Sequence, residues 1–188
     1  MEQRRMFLAG LVHLMAITFV VMVVFNALGG SGYEALFNQN TGQVSANYTV
    51  YITPAGFTFS IWSIIYIFLG AGAIYCVSTV YRRSGPSSRV FVQPVVLNWQ
   101  FYVALALNYS LNTAWIFIWD RKLMVVASIF LFFIAGTGWL SFAAVLKEVR
   151  LQRILIHNGI ALYTTWTTIA SVSNQRIIEN NWLKTTYL

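Results

Sequence analysis

Two carboxamides and two indoles recur at helical spacing in NYSLNTAWIFIWD, residues 108–120. Asn108, Asn112, Trp115 and Trp119 stand 4, 3 and 4 residues apart, so on a helix of about 3.6 residues per turn they share one face. Such a face can hydrogen-bond a polar atom and stack on flat rings, which is the chemistry of binding. Two further stripes have the same character: Thr58, Trp62, Tyr66, Gly70 and Ala73 in one apolar run, and Tyr163, Trp166, Ala170 and Asn174 in another. Bond-breaking chemistry finds less support. His13 and His157 are the only histidines and Cys76 the only cysteine, so neither a metal constellation nor a thiolate paired with a base can be assembled. No apolar run contains a carboxylate pair. The expectation is a protein that is not an enzyme, with no catalytic residue, no metal and no cofactor.

The elements that must position these stripes are membrane helices. Hydrophobic residues make up 58% of the 188 and charged residues 9%, more apolar surface than one soluble core of this size can hide. Charges cluster at residues 2–5, 34, 82–89, 120–122, 147–153 and 176–184. The intervals between them admit five crossings of about 20 residues each. We place these near residues 6–28, 57–81, 95–119, 123–146 and 154–174, with a long loop at 29–53 and the whole chain forming one membrane domain. The fold class is therefore an all-α integral membrane protein, a multi-pass five-helix bundle. In a bilayer, buried asparagines must find partners, so the amide stripe is expected to face the bundle interior.

Lys and Arg set the orientation. Arg4, Arg5, Arg82, Arg83, Arg89, Lys147, Arg150 and Arg153 fall on one side, against Arg121, Lys122, Arg176 and Lys184 on the other. The N-terminus is thus expected in the cytosol and the C-terminus opposite. The formal charge of +7 reads as loop charge and not as a nucleic-acid surface. The first apolar run is too long for a cleaved signal core of about 7–15 residues and is read as a retained helix. Within it, His13 reads as a neutral imidazole bonded to a neighbouring helix. His157 reads as a wet residue at the basic end. The four threonines around Trp166 are expected to bond back to their own helix. Asn47-Tyr48-Thr49 is a glycosylation sequon, usable if the first loop is lumenal.

Taken together, Pro54 with Trp62 and Tyr66, Leu111-Asn112 with Ala114-Trp115, and Tyr163 with Trp166 and Asn174 resemble the translocator protein family, also called the tryptophan-rich sensory proteins or peripheral benzodiazepine receptors. The resemblance covers nearly the whole chain. It implies a five-helix bundle whose cavity opens toward the first loop and takes rigid apolar molecules of the porphyrin or sterol class. It also implies homodimers, since family members often pair. Carried over by position, the ligand-binding candidates are Trp62, Tyr66, Asn112, Trp115, Tyr163 and Trp166, with Pro54 shaping the entry. Departures limit the transfer. The first loop has no tryptophan, Leu162 stands where relatives commonly have proline, and Gln175-Arg176 follows Asn174 without the tyrosine of a cholesterol motif.

The leading expectation is a membrane receptor or carrier whose partners are the bilayer and a hydrophobic small molecule. Two alternatives stand beside it. One is a structural or partner-binding membrane subunit without a ligand; the other is weak porphyrin-degrading activity, which the resemblance also implies.

Overall fold

The computed structural model describes residues 2–48, 60–82, 98–145 and 156–186, and the side chains of most of these. Among the described residues six α-helices follow in order: α1 (Glu2–Ser31), α2 (Thr41–Ala46), α3 (Ile61–Tyr81), α4 (Trp99–Asp120), α5 (Met124–Val145) and α6 (Asn158–Thr186). Among the described residues there is no strand. The principal packing partners close a ring in which α1 touches α3 and α4, α4 touches α5, α5 touches α6, and α6 returns to α3.

Four helices, α1, α3, α4 and α5, are long and apolar enough to cross a membrane. Their lipid-compatible faces carry exposed Ile, Val, Leu and Phe, among them Ile67, Ile74 and Phe132, while a core of Val12, Met15, Ile65, Tyr109, Ile134 and Tyr163 is closed to solvent. The sixth helix is 29 residues long and more polar, with its threonine cluster and a run of Asn, Gln and Arg from Asn174 onward.

Helix ends differ from the sequence reading in physical ways. The first helix runs to Ser31, because Gly32 at φ +70° and the Tyr33 amide, which donates to the Leu28 carbonyl at 3.0 Å, close it with a left-handed cap. The last helix passes its expected end at 174 and continues to Thr186; Arg176 and Glu179 pair at 3.0 Å across one turn of that extension. The α4–α5 connection is as tight as expected, and Lys122 takes φ 59° to make it. The expected second crossing from 57, the third from 95 and the fifth from 154 begin outside the described residues.

Close approach at two glycines sets the α6 packing. A Cβ on Gly138 would lie 2.7 Å from the Thr164 hydroxyl, and one on Gly159 would lie 3.0 Å from Phe68 Cβ. Glycine lets α5 and α3 approach α6 at these points.

Candidate functional site

The first loop, read from sequence as a long loop, is folded as far as Tyr48 over one end of the bundle. Phe37 and Val44 are buried, and Phe37 stacks on Phe117 of α4 at 5.1 Å. The short α2 is started by a reciprocal cap in which the Gln43 amide donates to Asn40 Oδ1 at 2.8 Å and the Asn40 amide donates to Gln43 Oε1 at 2.9 Å. Gly32 sits where a Cβ would come within 3.2 Å of the Asn40 nitrogen, so the turn fits against the start of α2.

Beneath this segment lies a cavity of about 420 Å³. Its lining comes from α1 (Val23, Asn26, Ala27, Gly30), the start of α2 (Asn40, Thr41, Gly42), α3 (Trp62, Ser63, Tyr66) and α4 (Trp115, Ile116). No charged side chain is among them. The size falls within the ~300–1,000 Å³ typical of small-molecule sites, and the mixture of aromatic wall with a few polar groups is the usual one.

Amides brace the cavity wall. Asn26 Nδ2 donates to the Met22 carbonyl at 2.9 Å and to Asn112 Oδ1 at 2.8 Å, and Asn112 Nδ2 donates to the Tyr163 hydroxyl at 3.2 Å. One hydrogen-bonded chain thus ties α1, α4 and α6 at a single level. Trp62 stacks on Tyr66 at 5.5 Å and meets Tyr163 and Trp166 edge-on at 6.1 and 6.3 Å. Trp115 stacks on Trp119 at 5.4 Å, and its indole N–H, though buried, has no partner among the described residues. A buried donor left unpaired costs about 1–3 kcal/mol.

The amide stripe therefore divides. All four of its members are buried, but Asn108 turns to α5, donating to the Ile134 carbonyl at 2.7 Å and to the Thr137 hydroxyl at 2.8 Å. Of the two amides, Asn112 is the one that faces α1 and α6.

A family model described as TSPO-like protein matches residues 12–185. The chain belongs to that family. With four helices long and apolar enough to cross a bilayer, it is an integral multi-pass membrane protein. Neither a comparison with curated proteins nor one with solved structures gives a match.

Of the residues that the family resemblance singles out, Trp62, Tyr66 and Trp115 line the cavity. Asn112 and Tyr163 are almost wholly enclosed and stand behind the lining with Trp166. Pro54 and Thr58 lie outside the described residues. Asn47 is exposed, its Nδ2 donating to Gln39 Oε1 at 3.0 Å, while Thr49 of its sequon lies outside.

Sequence reasoning missed the contribution of α1. Asn26 is the single carboxamide in the first apolar run beyond Met6, so the argument used for Asn112 applies equally to it. It also missed Asp120, expected in a simple turn but buried and bonded to the first loop. His13 is bonded to a neighbouring helix, as expected. Its Nδ1–H donates to the Ala9 carbonyl at 2.6 Å, and Nε2 hydrogen-bonds with the Tyr81 hydroxyl of α3 at 2.9 Å. His157 is half-buried against Phe142, with ring centroids 4.5 Å apart, and is less wet than expected. Thr167 and Thr168 bond back to the Thr164 carbonyl, whereas the Thr164 hydroxyl is buried without a partner among the described residues, contrary to expectation.

Proposed function

We propose that this protein is a membrane receptor or carrier for a rigid, largely apolar aromatic molecule of the tetrapyrrole or sterol class, held in the cavity between α1, α3 and α4. In this reading α6 is the fifth crossing, the N-terminus faces the cytosol, and the cavity opens toward the first-loop side. The observation that carries it is the cavity itself: about 420 Å³, walled by Trp62, Tyr66 and Trp115 and free of charged lining. Flat rings stack against such walls. Binding requires no covalent step, which fits a receptor or carrier better than an enzyme. A homodimer is compatible with this scheme and is not needed for the cavity, whose walls come from one chain.

The test is thermal melting in detergent with protoporphyrin IX and with cholesterol. Binding stabilises by RT ln(1 + [L]/Kd), about 2.7 kcal/mol at one hundred times Kd, so the melting point should climb with ligand concentration. Gly30→Phe, which fills the cavity from a position whose Cβ meets nothing within 4 Å, should abolish the climb and leave the ligand-free protein folded. A climb unchanged in that variant would remove the pocket.

A further inference from the structure

The carboxylate of Asp120 occupies an unfavourable place for an acidic group. It is the last residue of α4, where the helix dipole presents partial negative charge, and it is 4% exposed. Three donors from the first loop offset this. The Asn38 and Gln39 backbone amides donate to Oδ1 at 2.8 and 3.1 Å, and Asn38 Nδ2 donates to Oδ2 at 2.8 Å. Arg121 Nε lies 3.7 Å from Oδ2 on the exposed side. One residue back along α4, the Trp119 indole donates to the Thr41 carbonyl at 3.3 Å.

These bonds meet the chain at one functional point. Asn38 and Gln39 lead directly into Asn40, Thr41 and Gly42, which line the cavity. Trp119, which holds Thr41, also stacks on Trp115 of the cavity wall. The apolar anchor of the segment from Tyr33 to Tyr48 is small: Phe37 and Val44 are buried, and Tyr48 packs partly against the core. A short segment with a small apolar anchor and a concentrated polar one opens as a local unit when the polar anchor is released.

Building on the pocket reading, we infer that Asp120, with Trp119, is a latch that holds residues 38–42 against the cavity and sets the rate at which ligand enters and leaves. Asp120 is a positioning residue: it touches the segment and not the ligand. Asp120→Ala removes the acceptor for all three donors. Asp120→Asn keeps most of the latch, because its Oδ1 can still accept both amides while the Asn38 carboxamide turns to accept from the new Nδ2.

Two readouts separate the latch from the pocket. Hydrogen exchange in the ligand-free, full-length protein reports the latch alone; the Asn38 and Gln39 amides should exchange about ten- to hundredfold faster in Asp120→Ala, and much less so in Asp120→Asn. Stopped-flow dissociation of protoporphyrin IX reports the gate, and the off-rate should rise in the same order while melting of the ligand-free variants stays cooperative. Faster exchange with an unchanged off-rate would overturn the gating role, and unchanged exchange would overturn the latch. A wild-type protein that binds no protoporphyrin or cholesterol would remove the pocket reading, and the gate with it, while exchange still reported on the bonds themselves.

Discussion

The two ends of the bundle are built from the same kinds of helix and differ in what they enclose. At the first-loop end α1, α3 and α4 surround about 420 Å³ braced by the Asn26–Asn112–Tyr163 chain. At the other end Met15, Phe68, Cys76, Phe101, Leu105 and Tyr109 surround a void of only about 10 Å³, roughly one water. The packed end has apolar side chains that interdigitate, so it needs few polar contacts; His13 with Tyr81 is a peripheral one. The open end cannot gain contact energy across empty space. Amides and stacked indoles hold its walls apart and in register instead.

Adding a side chain should therefore have opposite results at the two ends, and this is the largest effect expected. Gly159→Val at the packed end places new atoms against Phe68 Cβ at 3.0 Å and its backbone carbon at 3.3 Å. It should destabilise by about 1–3 kcal/mol, read as a lower melting point in detergent. Gly138→Val, facing the stiff Thr164 side chain, should behave alike. Equal tolerance at Gly159 and Gly30 would break the comparison.

Next in size is the bracing itself. Asn112→Leu strips Asn26 and Tyr163 of a partner and should cost about 0.6–2 kcal/mol, the range for interhelical hydrogen bonds in membranes. Asn108→Leu should cost a similar amount. The two should part on ligand binding: loss at position 112 loosens the cavity wall and weakens protoporphyrin affinity, whereas loss at position 108 acts on the α4–α5 seam and leaves affinity near wild type. Equal affinity losses in both would deny the open end its separate brace.

Much of this was legible in the sequence, for reasons that particular residues make clear. Charge spacing marked the long helices because a bilayer tolerates few charges, and the 4-3-4 spacing placed Asn108, Asn112, Trp115 and Trp119 in the interior, where all four are found. Spacing gives the face of a helix and not its neighbour, so it could not separate Asn108, turned to α5, from Asn112, turned to α1 and α6. The ring order was hidden for the same reason, since α3 meets α6 across a long stretch of intervening chain. The fold of the first loop was hidden because it rests on a long-range bond from Asp120 to Asn38 and on Phe37 meeting Phe117. Its local signals were nevertheless present: Gly32 before Tyr33, and Asn40 three residues before Gln43.

A smaller effect sharpens the comparison from the open end. Gly30 lies in α1 and lines the cavity, and a Cβ there meets nothing within 4 Å. Gly30→Ala should therefore gain helix propensity without a clash, raising stability by up to about 0.8–1 kcal/mol. A gain here beside a loss at Gly159 shows that glycine serves different ends in the two regions, space for a ligand in one and helix contact in the other.

The smallest effect concerns the turn beneath the latch. Lys122 sits at φ 59°, a left-handed conformation that costs a residue with a side chain about 1 kcal/mol, and no hydrogen bond or ion pair of its side chain offsets that cost among the described residues. Lys122→Gly removes the native strain but also frees the unfolded chain, so the net gain should be within about 0.5 kcal/mol. Because Lys122 lies two residues past Asp120 and its backbone amide donates to the Trp119 carbonyl at 3.0 Å, the same variant probes whether the turn stiffens the latch. Exchange at Asn38 and Gln39 should stay at the wild-type rate, since the carboxylate bonds and the α4 terminus are intact. Acceleration there as large as in Asp120→Ala would shift the anchor of the open end from the carboxylate to the α4–α5 turn.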